Sequence, residues 1–474
     1  MWLNSAPGAL LLVTPLTRSL FEHSCLANNY YGQVLDGNQV KTVFIPSEAC
    51  FDAVASEAFT DTAALMQASH PIQQLVWVEQ AAVDPGLLET AGYFEFDNFM
   101  DRLKTVALAK RQQEPIIPPS SPMDTGYEVL YLSQTAALLS VSSATAMTID
   151  TLLPRFWKST LLPTSPVDFI EVPEEALKHV KSVLATLTFN PEVASIVESI
   201  SVPQLINDIR FLTGEDEVSG IVSRHSFSEG SRVAAKWLKA RFEDTGASCE
   251  LQPFLSGFTP NVVCSYPSAV ESNSTIIYSA HYDSRGSFGS VRAPGGDDDG
   301  SGTIAILALA RTIARRGIKF HSNVQLVAFG GEEQGLLGSR AYARKLREAN
   351  TNVTLMIQAD MLGYHAQDEP PQIGLPASIG TPEVAQLVAN ISTLYSPELR
   401  VGYTAACCSD HQSFHEQGFP ATQVFERAGP IVDPMYHNSG DLSDREGYDF
   451  GQIKSIAKVQ LASLLHTAGY EVSE

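Results

Sequence analysis

From about residue 192 onward, short apolar runs of strand character alternate with longer segments whose apolar residues recur at helical spacing. The runs STIIYSA (274–280), NVQLVAFG (323–330) and VTLMIQAD (353–360) are the clearest strands. Each leads through a polar or Gly-rich loop towards a helix. The first helix runs from about Ser301 to Arg316 and stops at Gly317, the second is capped near Ser339, and the third starts at Thr381-Pro382. A last helix covers roughly 451–467. This alternation predicts an α/β domain over 191–474: a doubly wound, mostly parallel sheet with helices on both faces.

The first 190 residues read differently. Residues 28 to about 110 mix short apolar runs with helical patterns, and they hold no cluster of His, Cys, Asp and Glu that signals chemistry. They end at Lys110-Arg111, before QQEPIIPPSSPM, whose Pro115, Pro118, Pro119 and Pro122 favour an extended, exposed segment. That stretch, 112–123, reads as a linker. A helix is expected from Glu174 to Leu187, opened by Pro173. At the start, ALLLVTPL (9–16) ahead of Cys25-Leu26-Ala27 has the outline of a signal peptide over residues 1–27. Against it stand the lack of a preceding Lys or Arg and the interrupting Pro7 and Pro15. Residues 28–190 then form either a removable pro-segment, with Lys110-Arg111 offered to a processing protease, or a stable accessory domain. No internal repeat is evident.

Composition narrows the function. With 44% apolar and 18% charged residues the chain has the balance of a globular protein, and no stretch approaches the roughly 20 apolar residues of a membrane helix. Thirty-one Lys plus Arg against 53 Asp plus Glu leave a net charge of −22, which repels phosphate backbones and anionic headgroups. Neither nucleic acid nor a membrane is an expected partner. Six cysteines form no CxxC pair. Cys249 and Cys264 flank two extended runs around a Ser-Gly turn, an arrangement open to a cross-strand disulfide or to two buried thiols. Sequons at Asn273, Asn352 and Asn390 matter only on a secretory route, the compartment expected here.

Candidate chemistry gathers where a wound sheet places it, directly after the strands. The first strand ends in Ala280-His281-Tyr282-Asp283-Ser284, the second in Gly331-Glu332-Glu333-Gln334-Gly335, and the third in Asp360-Met361. Between the first two lies APGGDDDGSG (293–302), and MYHNS (435–439) follows the strand-like FPATQVFE. A single His after a strand, or one acidic run, is usually a hydrogen-bonded or solvated group. Several carboxylates converging without a cation would repel one another and shift each other's pKa, a conflict that a bound cation removes. Imidazole with carboxylate ligands suits zinc, and two His with three carboxylates suffice for two ions sharing one carboxylate.

The series AHYDS, APGGDDDGSG, FGGEEQGLLGS, IQADMLGY and MYHNS resembles the two-zinc aminopeptidases of metallopeptidase family 28, in their order and over about 192–474. The resemblance implies two Zn2+: His281 and Asp360 on one, Glu333 and His437 on the other, and Asp298 bridging, with Glu332 as general base. From the residues alone, Asp297 or Asp299 could equally be the bridge, and Glu332 and Glu333 could exchange roles. Asp283 would orient His281, while Phe425, Cys407 and Cys408 would line the pocket for the first side chain. The implied reaction is hydrolysis of the N-terminal bond of peptides or proteins by a zinc-bridging hydroxide. Some members carry two cysteines four residues apart before the SDH triplet, whereas this chain has Thr404 at the earlier place and adjacent Cys407 and Cys408, which leaves a family-type local disulfide open. A glutaminyl cyclase-like enzyme, another zinc exopeptidase or an inactive binding module of the same fold are the rival expectations.

Overall fold

A computed structural model describes residues 8–58, 62–91, 95–113 and 127–472. The chain forms two compact units, Met1–Phe169 and Ile170–Glu474. This division falls earlier than the boundary expected near 190, because the helix Glu174–Thr186 buries Val180 in the core of the second unit.

The first unit repeats one topology twice. Strands β1 (Leu10–Pro15), β2 (Tyr30–Asp36), β3 (Gln39–Phe44) and β4 (Ala64–Gln67) form an antiparallel sheet in the order β2-β3-β1-β4. Strands β5 (Gln74–Gln80), β6 (Tyr127–Leu132), β7 (Ala136–Val141) and β8 (Trp157–Leu161) take the corresponding order β6-β7-β5-β8, again antiparallel. In each sheet helical segments separate the first strand from a hairpin and the hairpin from the last strand, the split βαβ arrangement. The repeat missed in the sequence therefore lies in topology.

Alternation along the strands explains the layering. Leu11 and Val13 of β1 join Val34 and Val43, and with them Leu75, Trp77, Ala136 and Leu138 of the other sheet, in one buried cluster. Leu12 and Phe44 point the other way, onto helix residues Leu20, Leu26, Cys50 and Val54. Polar bonds lock the two sheets together. Asp36 accepts from Tyr131 Oη, Ser133 Oγ and Thr135 Oγ1 and lies 3.0 Å from Lys41 Nζ.

Two readings of this region change. The apolar run expected to be a leader core is the central strand β1, and Cys25, before the proposed cut, is bonded to Cys50. Of the Pro-rich stretch read as a linker, residues 114–123 lie outside the described residues. Its two flanks, the helix Glu95–Gln113 that includes Lys110-Arg111 and strand β6, belong to the same module. A cut at the dibasic pair would leave β5 still hydrogen-bonded to β7 and β8, so the pair does not mark the edge of a domain.

The second unit is mixed α/β around a six-stranded mixed sheet. Its strands are β9 (Ser248–Gln252), β10 (Asn261–Tyr266), β11 (Ser274–His281), β13 (Asn323–Phe329), β14 (Asn352–Ala359) and β17 (Ala421–Val424), in the order β17-β14-β11-β13-β10-β9. The four from β17 to β13 are parallel, whereas β10 runs antiparallel to β13 and to the edge strand β9. Two short pairs lie outside this sheet: β12 (Ile318–Phe320) with β18 (Tyr470–Val472), and β15 (Gln372–Pro376) with β16 (Arg400–Thr404). Ile276, Tyr278, Leu326 and Ile357 pack with the helices Gly300–Arg316, Pro382–Tyr395 and Phe450–Ala468. Their sequence neighbours Ile277, Val327 and Met356 pack instead with Tyr342, Leu346 and Phe414 of two other helices.

Local signals mostly act as expected. Asp299 caps the helix Gly300–Arg316 by accepting from Gly302 N, and Gly317 ends it in the left-handed conformation (φ 61°). Ser339 does not cap its helix, Leu337–Glu348; its hydroxyl bonds Leu336 O and Ser413 Oγ inside the first turn. The alternatives left open for Cys249 and Cys264 resolve into a disulfide between the paired strands β9 and β10. Among the described residues, no helix is long and apolar enough to cross a membrane.

Hydrogen bonds and Lys41 outweigh burial at Asp36 and hold its carboxyl down at about 2. A depressed carboxyl stabilises the fold above its unfolded pKa and loses that contribution as pH falls through the folded value. Asp36→Asn should therefore cost about 1–3 kcal/mol at pH 7, with the gap from the parent narrowing between pH 4 and pH 2. Urea unfolding of the parent and the variant, followed by circular dichroism across that pH range, checks this.

Candidate metal centre

The carboxyl ends of β11, β13 and β14 deliver the candidate residues to one place. His281 is the last residue of β11, Glu332 and Glu333 follow β13 through the Gly330-Gly331 turn, and Asp360 follows β14. Asp360 N donates to Val424 O and Glu426 N to Met361 O, so the Asp360-Met361 turn is laced to the end of β17. His437 comes from the loop before the last helix and holds a left-handed backbone (φ 51°), as Met361 does (φ 51°). Such backbone is disfavoured for L residues and persists where surrounding bonds fix it.

The centre forms around Asp298. One of its oxygens stands 3.3 Å from His281 Nε2, and the other 3.2 Å from His437 Nε2. Asp360 lies 3.7 Å from His281 Nε2, and Glu333 3.0 Å from His437 Nε2. Two groups able to hold a metal ion result: His281, Asp298 and Asp360, and Asp298, Glu333 and His437, the ligand atoms of each within 4.8 Å of one another. The three aspartates that sequence left interchangeable differ in what they face. Asp297 Oδ1 is occupied by Gly363 N, and Asp299 accepts from Gly302 N, Met361 N and His281 N, which leaves Asp298 as the member of the triplet facing both imidazoles.

Asp283 lies beside the His281 ring and beneath the glutamate turn. Its backbone oxygen lies 3.2 Å from His281 Nδ1, while its carboxylate accepts from Glu332 N, Glu333 N and Ser226 Oγ. The carboxylate thereby sets the turn that carries both glutamates. Phe425 is buried and paired through its backbone to Gly374, opposite the Asp360-Met361 turn. Cys407 and Cys408, whose pairing the sequence left open, are bonded to each other, in the loop that leads to buried Asp410.

Charge crowding shifts the ionisations. Burial, then the neighbouring Asp360, Asp410 and Glu333 charges, push the Glu332 carboxyl well above its ordinary value despite His281. Burial disfavours the charged His281 ring, yet Glu332 and the bonds to Asp283, Asp298 and Asp360 carry it well upward. Burial also opposes ionisation of Asp298, but its two histidines win and hold it below the usual range.

Several residues around the centre gave no sequence signal. Arg224, fully buried, donates to the backbone oxygens of Tyr282, Leu212, Pro294 and Gly295, tying the His281 loop to the aspartate loop. Arg285 Nη1 lies 2.9 Å from His437 Nδ1, and Asp441 binds the aspartate loop from the far side. Isolated Arg and Asp residues outside any motif carry no spacing that reveals such work.

Peptidase family M28 matches residues 261–463. A probable leucine aminopeptidase of Trichophyton verrucosum is 30% identical over 285 residues, covering 57% of this chain and 74% of the relative. This chain belongs to peptidase family M28. Leucine aminopeptidase 1 of Sclerotinia sclerotiorum is 28% identical over 309 residues, 60% of this chain and 77% of its own. The LapA aminopeptidase of Legionella pneumophila shares the fold with a TM-score of 0.57 at 18% identity, covering 84% of this chain and 99% of LapA. That coverage exceeds the share of the chain in the second unit, so the likeness of fold extends into the first.

Arg224→Met should leave four carbonyl oxygens without their donor and lower stability by about 3 kcal/mol or more, measured by urea unfolding of metal-free protein.

Proposed function

We propose that this M28 chain is a metallo-aminopeptidase acting on the N-termini of peptides and proteins. The observation that carries the reading is the Asp298 carboxylate, with one oxygen turned to each of two histidines and a further carboxylate beside each. The donors fit zinc: imidazole nitrogens with carboxylates, in two groups sharing Asp298. Glu333 Oε1 is buried without a hydrogen-bond partner, the kind of orphaned acceptor that a cation satisfies. His281, Asp298 and Asp360 would hold one zinc ion and Asp298, Glu333 and His437 the second. When bound, two such ions polarise a peptide carbonyl and lower the pKa of water.

The chain's own groups do the rest. Glu332 keeps 14% of its side chain exposed, 3.9 Å from His281 Nε2, on a backbone pinned by Asp283. It accepts the proton of the attacking water and returns it to the leaving amine. A floor rich in carboxylates receives a free ammonium and leaves an acylated amine poorly paired, which restricts the reaction to the first residue. Phe425 and the Cys407-Cys408 loop line the pocket for that residue's side chain.

The same reading takes the second unit as a doubly wound exopeptidase fold. Three disulfides fit an oxidising compartment, and hence secretion, with exposed Asn273 and Asn352 open to glycosylation. The first unit is then a pro-segment or an accessory domain. A processing cut at Lys110-Arg111 alone would not release it, because β5 keeps its ladders with β7 and β8.

Zinc-loaded full-length protein should release the chromophore from aminoacyl substrates and leave their N-acetylated counterparts intact. Glu332→Gln should lower kcat roughly 100-fold to 10,000-fold with zinc content unchanged. Equal cleavage of acetylated substrates, or full activity in the variant, would overturn the reading.

A further inference from the structure

We propose that Asp441, braced by Arg445, is the positioning residue that fixes the bridging carboxylate against His437. This rests on the metal-centre reading above and extends it to a residue outside the ligand set.

Asp441 is 1% exposed, and its carboxylate grips the aspartate loop by the backbone. Its two oxygens accept from Asp297 N at 2.9 and 3.0 Å, and Oδ2 also accepts from Asp298 N at 3.0 Å. Its own carbonyl oxygen accepts from Gly296 N at 2.7 Å. Three consecutive amides, Gly296 to Asp298, therefore close on this one residue.

Asp441 also belongs to the loop that supplies the other side of the centre. His437 lies four positions earlier, and the chain between them is closed by Asn438 N to Met435 O at 3.0 Å and Asp441 N to Asn438 O at 3.1 Å. Arg445 straps this loop. Its guanidinium donates to Asp433 at 2.8 and 2.5 Å and to Asp441 Oδ1 at 3.0 Å, so it bonds one carboxylate before His437 and one after it. The strap is charge-assisted and mostly buried, which makes it rigid.

Asp298 and His437 thus come from loops far apart in sequence, and Asp441 joins the two directly. Their 3.2 Å approach depends on that joint. Because Asp298 faces both histidines, a loosened aspartate loop should weaken both ions rather than one. A partner that orients a ligand typically contributes tenfold to hundredfold in metal affinity.

The test uses the full chain with zinc and with cobalt. The parent should bind two equivalents; if it does not, the metal-centre reading fails before the role of Asp441 is reached. In Asp441→Asn the remaining oxygen can still receive the Asp297 and Asp298 amides, but the amide nitrogen that replaces the other oxygen turns a donor towards Asp297 N and Arg445, and the charge that holds the strap is lost. Zinc affinity, measured by competition with a chromogenic chelator, should fall roughly tenfold to hundredfold, and the visible spectrum of the dicobalt protein should change. Affinity within twofold of the parent with an unchanged cobalt spectrum overturns the proposal, and so does a fall in the melting temperature of the metal-free protein alone. If Asp441→Asn does not fold, Arg445→Lys leaves Asp441 in place and should weaken zinc severalfold; unchanged affinity there overturns it equally.

Discussion

Negative charge packed into one buried place is the constraint from which the second unit follows. Asp283, Asp298, Asp299, Glu333, Asp410 and Asp441 are all buried near the carboxyl ends of three parallel strands, and Glu332 and Asp360 are nearly so. Left alone, such a group would neutralise itself by taking up protons. The fold answers with three kinds of positive partner. Backbone amides serve Asp283, Asp299 and Asp441; Arg224 and Arg445 stand behind the loops; and two imidazoles face Asp298. What these leave unmet includes Glu333 Oε1, a buried acceptor with no hydrogen-bond partner.

The division of labour among the three consecutive aspartates shows how finely this is arranged. Asp297 faces the amide of Gly363, Asp299 caps a helix and holds the turn after β14, and only Asp298 looks into the cleft. Identical side chains in a row thus take three different roles, set by which backbone donors lie within reach. The same economy appears at Asp283, whose carboxylate builds the glutamate turn while its carbonyl faces the His281 ring.

The second unit was largely legible from sequence because its strands are continuous apolar runs and its chemistry sits directly after them. STIIYSA, NVQLVAFG and VTLMIQAD became β11, β13 and β14, and every candidate ligand lies in the cluster they form. Order along the chain could not say which aspartate faces both histidines, since that depends on donors distant in sequence. Arg224 and Asp441 were invisible for the same reason: they act through the backbone of other segments, and backbone contacts leave no residue pattern. In the first unit the short strands offered no such continuity. The run ALLLVTPL is equally apolar as a leader core or as a central strand, and only its pairing with β3 and β4 decides the matter. The Pro-rich stretch after Gln113 was read as a linker, although β5 before it and β6 after it both pair with β7.

The twofold recurrence of topology in the first unit has a consequence for how it holds together. Each four-stranded sheet keeps one face for helices or solvent and spends the other on its twin, through Leu11, Val13 and Val43 on one side and Leu75, Trp77 and Leu138 on the other. Physically this is a dimer written into a single polypeptide, in which the covalent link sets a high effective concentration of one half for the other. Neither half buries its apolar face without its counterpart, so the unit is bound to assemble as a whole and to come apart as a whole.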